Sequence, residues 1–366
     1  MFYPLKDLNF KKFFLKTKKQ KAVFNPNSFS IELKKFYENK NKKLLDNFKK
    51  KNNGLELANN RSNLIDQIIV KCYYRYSLEL KKKIKNFKCS IIATGGFGRK
   101  ELAPYSDVDI LFLHSLKSKK NLEDFVKPVL HALWNLGLRV GYATRTSKEC
   151  ISYSKKKLDV CTSILESRFV IGDKAIYNNL MKQYKSEIIE KCGKKFIKEI
   201  FLERRKRLVE TGDTRYLLEP NVKNGKGGIR DLQTLSWIGQ FFYKANNLNE
   251  LVKKKILDKN LARSFFKSKQ FFWTVRTHLH NLSNRPNEQL NFEYQKEIAK
   301  RMGYKKHKGT INVERLMKHY FLTAKKVSDL IRIYCTAIEE KEKLFSIKKK
   351  NITKAKRKIG KFIIIN

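Results

Sequence analysis

The stretch that most constrains this chain is Ile91 to His114, IIATGGFGRKELAPYSDVDILFLH. A short apolar run ending in two glycines reads as a strand entering a tight turn. SDVDILFLH reads as a second strand that opens on acids. Asp107 and Asp109 stand two apart, and side chains at i and i+2 of a strand leave the same face, so both carboxylates converge. Two hard oxygen donors on one rigid strand suit Mg²⁺, which takes carboxylates together with substrate phosphates and water. Gly95 and Gly96 let the backbone approach a phosphate closely. The residues from Phe97 could begin a short helix whose N-terminus faces an anion. Arg99 is placed to add a charge-assisted contact to a triphosphate, and Ser106 flanks the acids. Other phosphate motifs fail. GGFGRKE carries Glu101 where GxGxxG needs its last Gly, and the later NGKGGIRD lacks the P-loop spacing. An acid–x–acid pair alone describes a solvated strand edge equally well. With the GG pair, Arg99 and Ser106 at this spacing, a metal–nucleotide site is the better reading.

The surroundings place this motif in a small α/β unit. SNLIDQIIVKCYYRYSLELKKKIKNF, residues 62–87, has apolar residues at helical spacing, with Ser62 as the expected N-cap. NLEDFVKPVLHALWNLGL reads as a helix ended by Gly137, and RVGYATRT as a third strand. A strand–turn–strand–helix–strand series over about 88–172 follows. From about 174 to 345 the pattern is helical, interrupted by the loop around EPNVKNGKGGIRD. The expected organisation is a basic helical extension (1–60), the motif-bearing domain (61–173), a helical domain (174–345) and a basic tail (346–366).

Charge and cysteines bound the function classes. A net charge of +48, from 82 Lys and Arg against 34 Asp and Glu, raises nucleic acid as a partner. However, 64 of the cations are Lys and only 18 Arg, while Asn, Ile and Phe are abundant and Pro and Gly scarce, as A/T-biased coding would produce. The first sixty residues carry about +10, so the excess is spread rather than gathered in a tail. Base readout also favours Arg forks over Lys point charges. Nucleic acid is therefore the weaker partner reading. No apolar run approaches the ~18–20 residues that span a bilayer. The six Cys (72, 89, 150, 161, 192 and 335) form no CxxC pair, which argues against a disulfide scaffold or a Cys-type zinc site and fits a cytoplasmic location.

GG followed by acid–x–acid on the next strand resembles the nucleotidyltransferase motif of the DNA polymerase beta-like superfamily. The form GGFGRKELAPYSDVDILFL resembles one family in particular, the bacterial PII uridylyltransferases, which act in the regulation of nitrogen metabolism. A second block, GDTRYLLEPNVKNGKGGIRDLQTLSWIGQ at Gly212–Gln240, agrees, and a weaker third runs from FFWTVRTHLHNLSNRPNEQLNF to VSDLIR. The resemblance covers about 60–345. It implies an α+β fold: a small polymerase beta-like nucleotidyltransferase α/β domain with N-terminal helices and a following all-helical domain. It also implies the reaction, transfer of UMP from UTP to a tyrosine of the small PII signalling protein with release of diphosphate. Asp107 and Asp109 would hold Mg²⁺, and Gly95, Gly96 and Arg99 the β and γ phosphates. The acceptor tyrosine attacks directly, so no enzyme nucleophile is required.

Three readings stay open. The superfamily carries a third carboxylate on a later strand, but RVGYATRT has Tyr142 and Arg145 and no acid. Asp159 and Glu166 are the nearest candidates, with surface or salt-bridge roles as the alternative. Lys223, Arg230 and Asp231 could face the nucleotide across a cleft, or the loop could be an interdomain turn capped by Asp231. His278 and His280 stand two apart on a helix, point about 200° apart and are read as ordinary core or surface histidines.

The family's usual HD phosphohydrolase domain, which removes UMP, and its glutamine-sensing ACT domains have no counterpart motif here. The six His are followed by Ser, Ala, Leu, Asn, Lys and Tyr, never Asp. A split or truncated gene product, or a one-way enzyme, is the expectation. Transfer to another acceptor, and an inactive basic fragment that binds nucleic acid, are the competing readings.

Overall fold

A computed structural model describes residues 26–348 other than 82–87, 116–118, 213, 215, 246 and 308. Residues 1–25 of the expected extension and 349–366 of the expected tail lie outside the described residues.

Alternation along two strands builds the centre of the motif-bearing domain. β1 (Cys89–Ala93) and β2 (Val108–His114) pair antiparallel, with Ile91 opposite Phe112 and Ile92 opposite Leu111. The side chains of Ile91, Ala93, Ile110 and Phe112 enter one core, and those of Ile92, Leu111 and Leu113 enter another on the opposite face. Both faces are covered, which is why these strands read as nearly continuous apolar runs. β3 (Val140–Arg145) runs parallel to β2, and β4 (Arg168–Gly172) pairs antiparallel with β1, giving the order β3-β2-β1-β4. β4 is an addition to the three expected strands.

Helices cover each face. α1 (Pro26–Lys51) and α2 (Gly54–Lys81) lie on the first, together with the short turn α3 (Gly95–Gly98) and α4 (Lys119–Trp134). In α4, Leu122, Phe125, Val126, Val129, Leu130 and Leu133 recur at three- and four-residue spacing, and all are buried. The other face is covered by α5 (Ser147–Lys156), α6 (Leu158–Leu165), α7 (Lys174–Tyr184) and α8 (Gly193–Glu210). The helical domain continues with α9 (Ile229–Phe241), α10 (Leu248–Lys253), α11 (Lys259–Ser283), α12 (Phe292–Arg301) and α13 (Asn312–Lys348), around a separate core. The fold is thus mixed α+β, with a four-stranded mixed sheet in the motif-bearing domain and helices elsewhere.

The expected N-cap at Ser62 is corrected. Ser62 is fully buried in the middle of α2, and its hydroxyl donates to the Ala58 carbonyl at 3.0 Å. The helix starts earlier because the Asn53 side chain accepts from the Glu56 amide at 3.1 Å, doing the work of a cap. α2 therefore runs unbroken past the expected boundary at residue 60. Gly54 lets its first turn lie directly on the backbone of α11, since a Cβ there would overlap the carbonyl of Trp273. The N-terminal helices thereby bridge the sheet domain and the helical domain. Among the described residues no helix is long and apolar enough to cross a membrane.

Candidate active site

The acid pair sits where the covering of the second sheet face ends. Asp107 and Asp109 share the parity of Leu111 and Leu113, so their carboxylates emerge on that face beyond the apolar packing. Asp107 is exposed and Asp109 half-buried. The Asp109 carboxylate is wedged between two glycines. A Cβ on Gly95 would stand 2.9 Å from its Oδ2, and a Cβ on Gly141 would stand 2.7 Å from its Oδ1. Gly141 is its direct partner in the parallel β2–β3 register. Burial, with the negative charge of Asp107 beside it, pushes the Asp109 carboxyl up to about 6, while Arg99 and Lys223 pull it down. The nearest cation to Asp107 is Arg139, at 3.1 Å on an exposed surface.

The turn before the acids is held by its own backbone. Gly95 has φ +54, the left-handed region where glycine is at ease. The Gly98 amide donates to Thr94 O, the Arg99 amide to Gly95 O and the Glu101 amide to Gly96 O. The helical turn begins at Gly95 rather than at Phe97, because these bonds already close at Gly95 and Gly96. Gly98 is demanded by packing, since a Cβ there would collide with the carbonyl of Glu166. Ser106 is half-buried next to the acids, its amide bonded to Ala103 O at 3.2 Å.

Arg99 is not free to reach out. Its guanidinium lies between two carboxylates, Glu101 at 2.7 Å and Glu166, and the pair holds it firmly protonated against the cost of burial. Glu101 also receives Lys269 of α11, and Glu166 accepts from the indole N–H of Trp237 in α9 at 2.5 Å. The network ties the Gly95–Gly98 turn to the helical domain. It also accounts for Glu166 as the partner of Arg99 and Trp237. Asp159 is exposed in the first turn of α6. Neither candidate third acid is brought to the pair, and among the described residues no group of three or more His, Cys, Asp or Glu side chains is arranged to hold a metal ion.

The second block divides. Lys223 is near enough to influence Asp109, and the Arg230 guanidinium lies over the ring of Trp237, whose indole donates to Glu166 of the Arg99 network. Asp231 does not face the acid pair. It is fully buried, gripped by Arg204 at 3.0 and 3.2 Å and by Arg207 at 3.0 Å, and it accepts the Gly227 amide at 2.9 Å. The N-cap of α9 is Gly228 and not Asp231. Asp231 is an internal anchor that fixes the loop from below. The histidines are core residues. His278 lies against Phe48 and bonds Asn52, with burial pushing its pKa down to about 4, and His280 bonds the carbonyl of Pro104.

Sequence reasoning missed Gly141, Gly98, Glu101, Lys269 and Trp237. Gly141 had a legible signal, because a glycine inside a strand marks a close approach. For the charge network the sequence offered a salt-bridge role for Glu166 as an alternative but no signal for its partner, as Arg99 and Glu166 stand 67 residues apart.

This fold and this site define a nucleotidyltransferase-domain protein, and residues 74–171 match the nucleotidyltransferase domain family. Residues 195–335 match the family described as GlnD PII-uridylyltransferase. The chain is 46% identical over 253 residues to the bifunctional uridylyltransferase/uridylyl-removing enzyme of Azospirillum brasilense, covering 69% of this chain and 27% of the relative. It is 39% identical over 320 residues to the protein of the same name from Rhodospirillum rubrum, covering 86% and 34%. For that of Nitrobacter winogradskyi the identity is 42% over 255 residues, covering 70% and 28%. Over these matched lengths the chain is similar to PII uridylyltransferases, and it spans between about a quarter and a third of the length of these relatives, their N-terminal part.

Proposed function

We propose that this chain transfers UMP from UTP to a tyrosine hydroxyl of a PII signalling protein, with Mg²⁺, releasing diphosphate. The observation that carries the reading is the acid pair. Asp107 and Asp109 crowd each other at the end of one strand, and burial and mutual repulsion leave the Asp109 carboxyl at about 6. A half-buried carboxylate disfavoured as an anion, set beside a second acid and with no ion-pair partner for Asp109 among the described residues, is suited to a small divalent cation. When bound, Mg²⁺ supplies charge neutralisation and in-line alignment at the α-phosphorus.

The chain's own groups supply the rest. The glycine walls from Gly95 and Gly141 fix the Asp109 carboxylate in one orientation. The Gly95–Gly96 backbone gives close approach to phosphate oxygens, and Arg99 adds its field while being held by Glu101 and Glu166. The acceptor is an external tyrosine, so the residues of this site need only orient and neutralise, which is the main requirement of phosphoryl-type transfer. PII as acceptor and UTP as donor rest on the relatives' names and the matched PII-uridylyltransferase region.

Purified chain with Mg²⁺, labelled UTP and PII is expected to yield labelled PII, and Asp107→Asn to abolish the label. An unlabelled PII under conditions where a full-length relative labels it would sink the proposal, and preferential transfer from ATP would change the donor.

A further inference from the structure

The cleft opposite the acid pair contains more cations than its own carboxylates balance. Arg99 is matched by Glu101 and Glu166, Lys269 by Glu101, and Arg276 by Glu288. Deeper in the helical domain, Arg204 and Arg207 are matched by Asp231. Two cations are left over. Among the described residues neither Lys223 nor Arg230 has a carboxylate within ion-pair distance. The Arg230 guanidinium contacts neutral groups, donating to Gln233 Oε1 at 2.9 Å and lying 5.7 Å from the Trp237 ring centre.

These two side chains are placed by a rigid loop. The Asn221 side chain accepts the amides of Lys223 at 3.1 Å and Asn224 at 2.7 Å. The Arg230 amide donates to the Lys223 carbonyl at 2.8 Å, which binds the two positions together. Gly225, Gly227 and Gly228 permit the tight path, and Gly227 (φ +77) lies against the backbone of α13 at Ala324. Asp231 clamps the base of the loop to α8. Burial, compounded by the surrounding positive charges, lowers the pKa of both Lys223 and Arg230. Half-buried cations held together without a counter-charge cost stability. Such a cost is offset when an anion binds there.

We infer that Lys223 and Arg230 form a diphosphate subsite, supplied by the helical domain and facing the Asp107–Asp109 pair across the cleft. The chemistry recognised is two linked phosphates, either the β and γ groups of a nucleoside triphosphate or free inorganic diphosphate. In the proposed reaction, on which this inference rests only for the source of the ligand, the tyrosine oxygen forms the new bond to the α-phosphorus as the P–O bond to the β-phosphate breaks, the electron pair leaves with the diphosphate and the hydroxyl proton passes to solvent. The two cations would stabilise that departing charge. They are also the point at which the helical domain enters the chemistry.

The test is equilibrium binding to the full chain, which requires neither PII nor transfer. The probes are inorganic diphosphate, UTP and UMP, each titrated calorimetrically into the wild type, Lys223→Met, Lys223→Arg, Arg230→Gln and the exposed-surface control Lys318→Met. Lys223→Met and Arg230→Gln should weaken diphosphate and UTP by about tenfold or more, the loss of one charge-assisted contact. UMP should be unaffected, Lys223→Arg should recover most of the binding, and Lys318→Met should change nothing. Thermal unfolding keeps the result interpretable. Removing an unbalanced cation should leave the free protein's Tm unchanged or higher, and diphosphate should raise the Tm of the wild type but not of Lys223→Met. Unchanged diphosphate affinity in both variants, equal weakening of UMP, or a wild type that binds no diphosphate at millimolar concentration would each overturn the inference. A failure to label PII leaves this measurement standing, and a failure here leaves the transfer reaction standing.

Discussion

Two glycine-rich loops meet at this cleft, and each ends on an aspartate with a different fate. The sheet-domain loop leads from Gly95 to Asp109, and the helical-domain loop leads from Asn221 to Asp231. Asp231 is fully buried and receives two arginines and a backbone amide. Asp109 is half-buried, crowded by Asp107, and has no ion-pair partner among the described residues. One aspartate is spent on holding a loop in place, and the other is left unsatisfied where a cation can reach it. The two loops are complementary in their remaining charge: Asp109 stands without an ion-pair partner on one side, Lys223 and Arg230 on the other, among the described residues. The comparison teaches that a site is marked less by charge than by charge the protein has not already matched.

Substitutions can break that contrast from either side. The largest effect is expected at the acids, where Asp109→Asn or Asp107→Asn should reduce uridylyl transfer by about a thousandfold or more with the fold retained, as measured by initial rates beside a circular dichroism spectrum. Asp231→Ala should do the reverse. It removes the carboxylate that Arg204 and the buried Arg207 both grip, and urea unfolding should show a loss of about 3–5 kcal/mol. If Asp231→Ala left stability intact and only slowed transfer, the assignment of Asp231 as an anchor would be wrong.

Next comes the glycine wall. Gly141→Ala places a methyl group 2.7 Å from Asp109 Oδ1, the movable end of a side chain, so the carboxylate swings rather than the backbone. Transfer should fall about tenfold to a hundredfold, as for a displaced catalytic geometry, with little change in Tm. Gly98→Ala meets the Glu166 backbone carbonyl instead, and should lower Tm.

The smallest effect is a pH dependence. The folded-state pKa of Asp109, about 6, lies above its unfolded value of roughly 4. Between these values the folded chain binds the extra proton, so the contribution of Asp109 to stability declines as pH rises through this window. Asp109→Asn should flatten that part of the metal-free stability profile. Mg²⁺ must displace the same proton, so its affinity should fall by roughly tenfold per unit below pH 6. Calorimetric titrations at pH 5 and pH 7 measure this, and equal affinities at the two would remove Asp109 from the metal site.

Much of the sheet domain was readable from the chain because its signals are local. The acid pair, the GG turn and the change from helical to strand spacing lie within 24 residues, Ile91–His114. β4 was not readable, since RFVIG becomes a strand only by pairing with β1, some eighty residues away. The start of α2 was misplaced because Ser62 is a frequent capping residue, while Asn53, which makes the capping bond, sits before a glycine. Sequence spacing could not show that Arg99, read as a phosphate contact, also pairs with Glu101 and Glu166. Lys223, Arg230 and Asp231 shared one motif and the same two open readings, a cleft-facing loop or an interdomain turn capped by Asp231. Burial and pairing separated them, and only contacts with α8 revealed that Asp231 faces inward.

The account rests on acids and cations from two domains serving one nucleotide. The most direct measurement is steady-state transfer of labelled UMP to PII over a range of UTP concentrations, by the wild type, Asp107→Asn and Lys223→Met. The account predicts label on a PII tyrosine with the wild type and none with Asp107→Asn at any UTP concentration. Lys223→Met should show a raised KM that saturating UTP partly overcomes. Undiminished labelling by Asp107→Asn, or no labelling by the wild type of a PII that a full-length relative modifies, would contradict it.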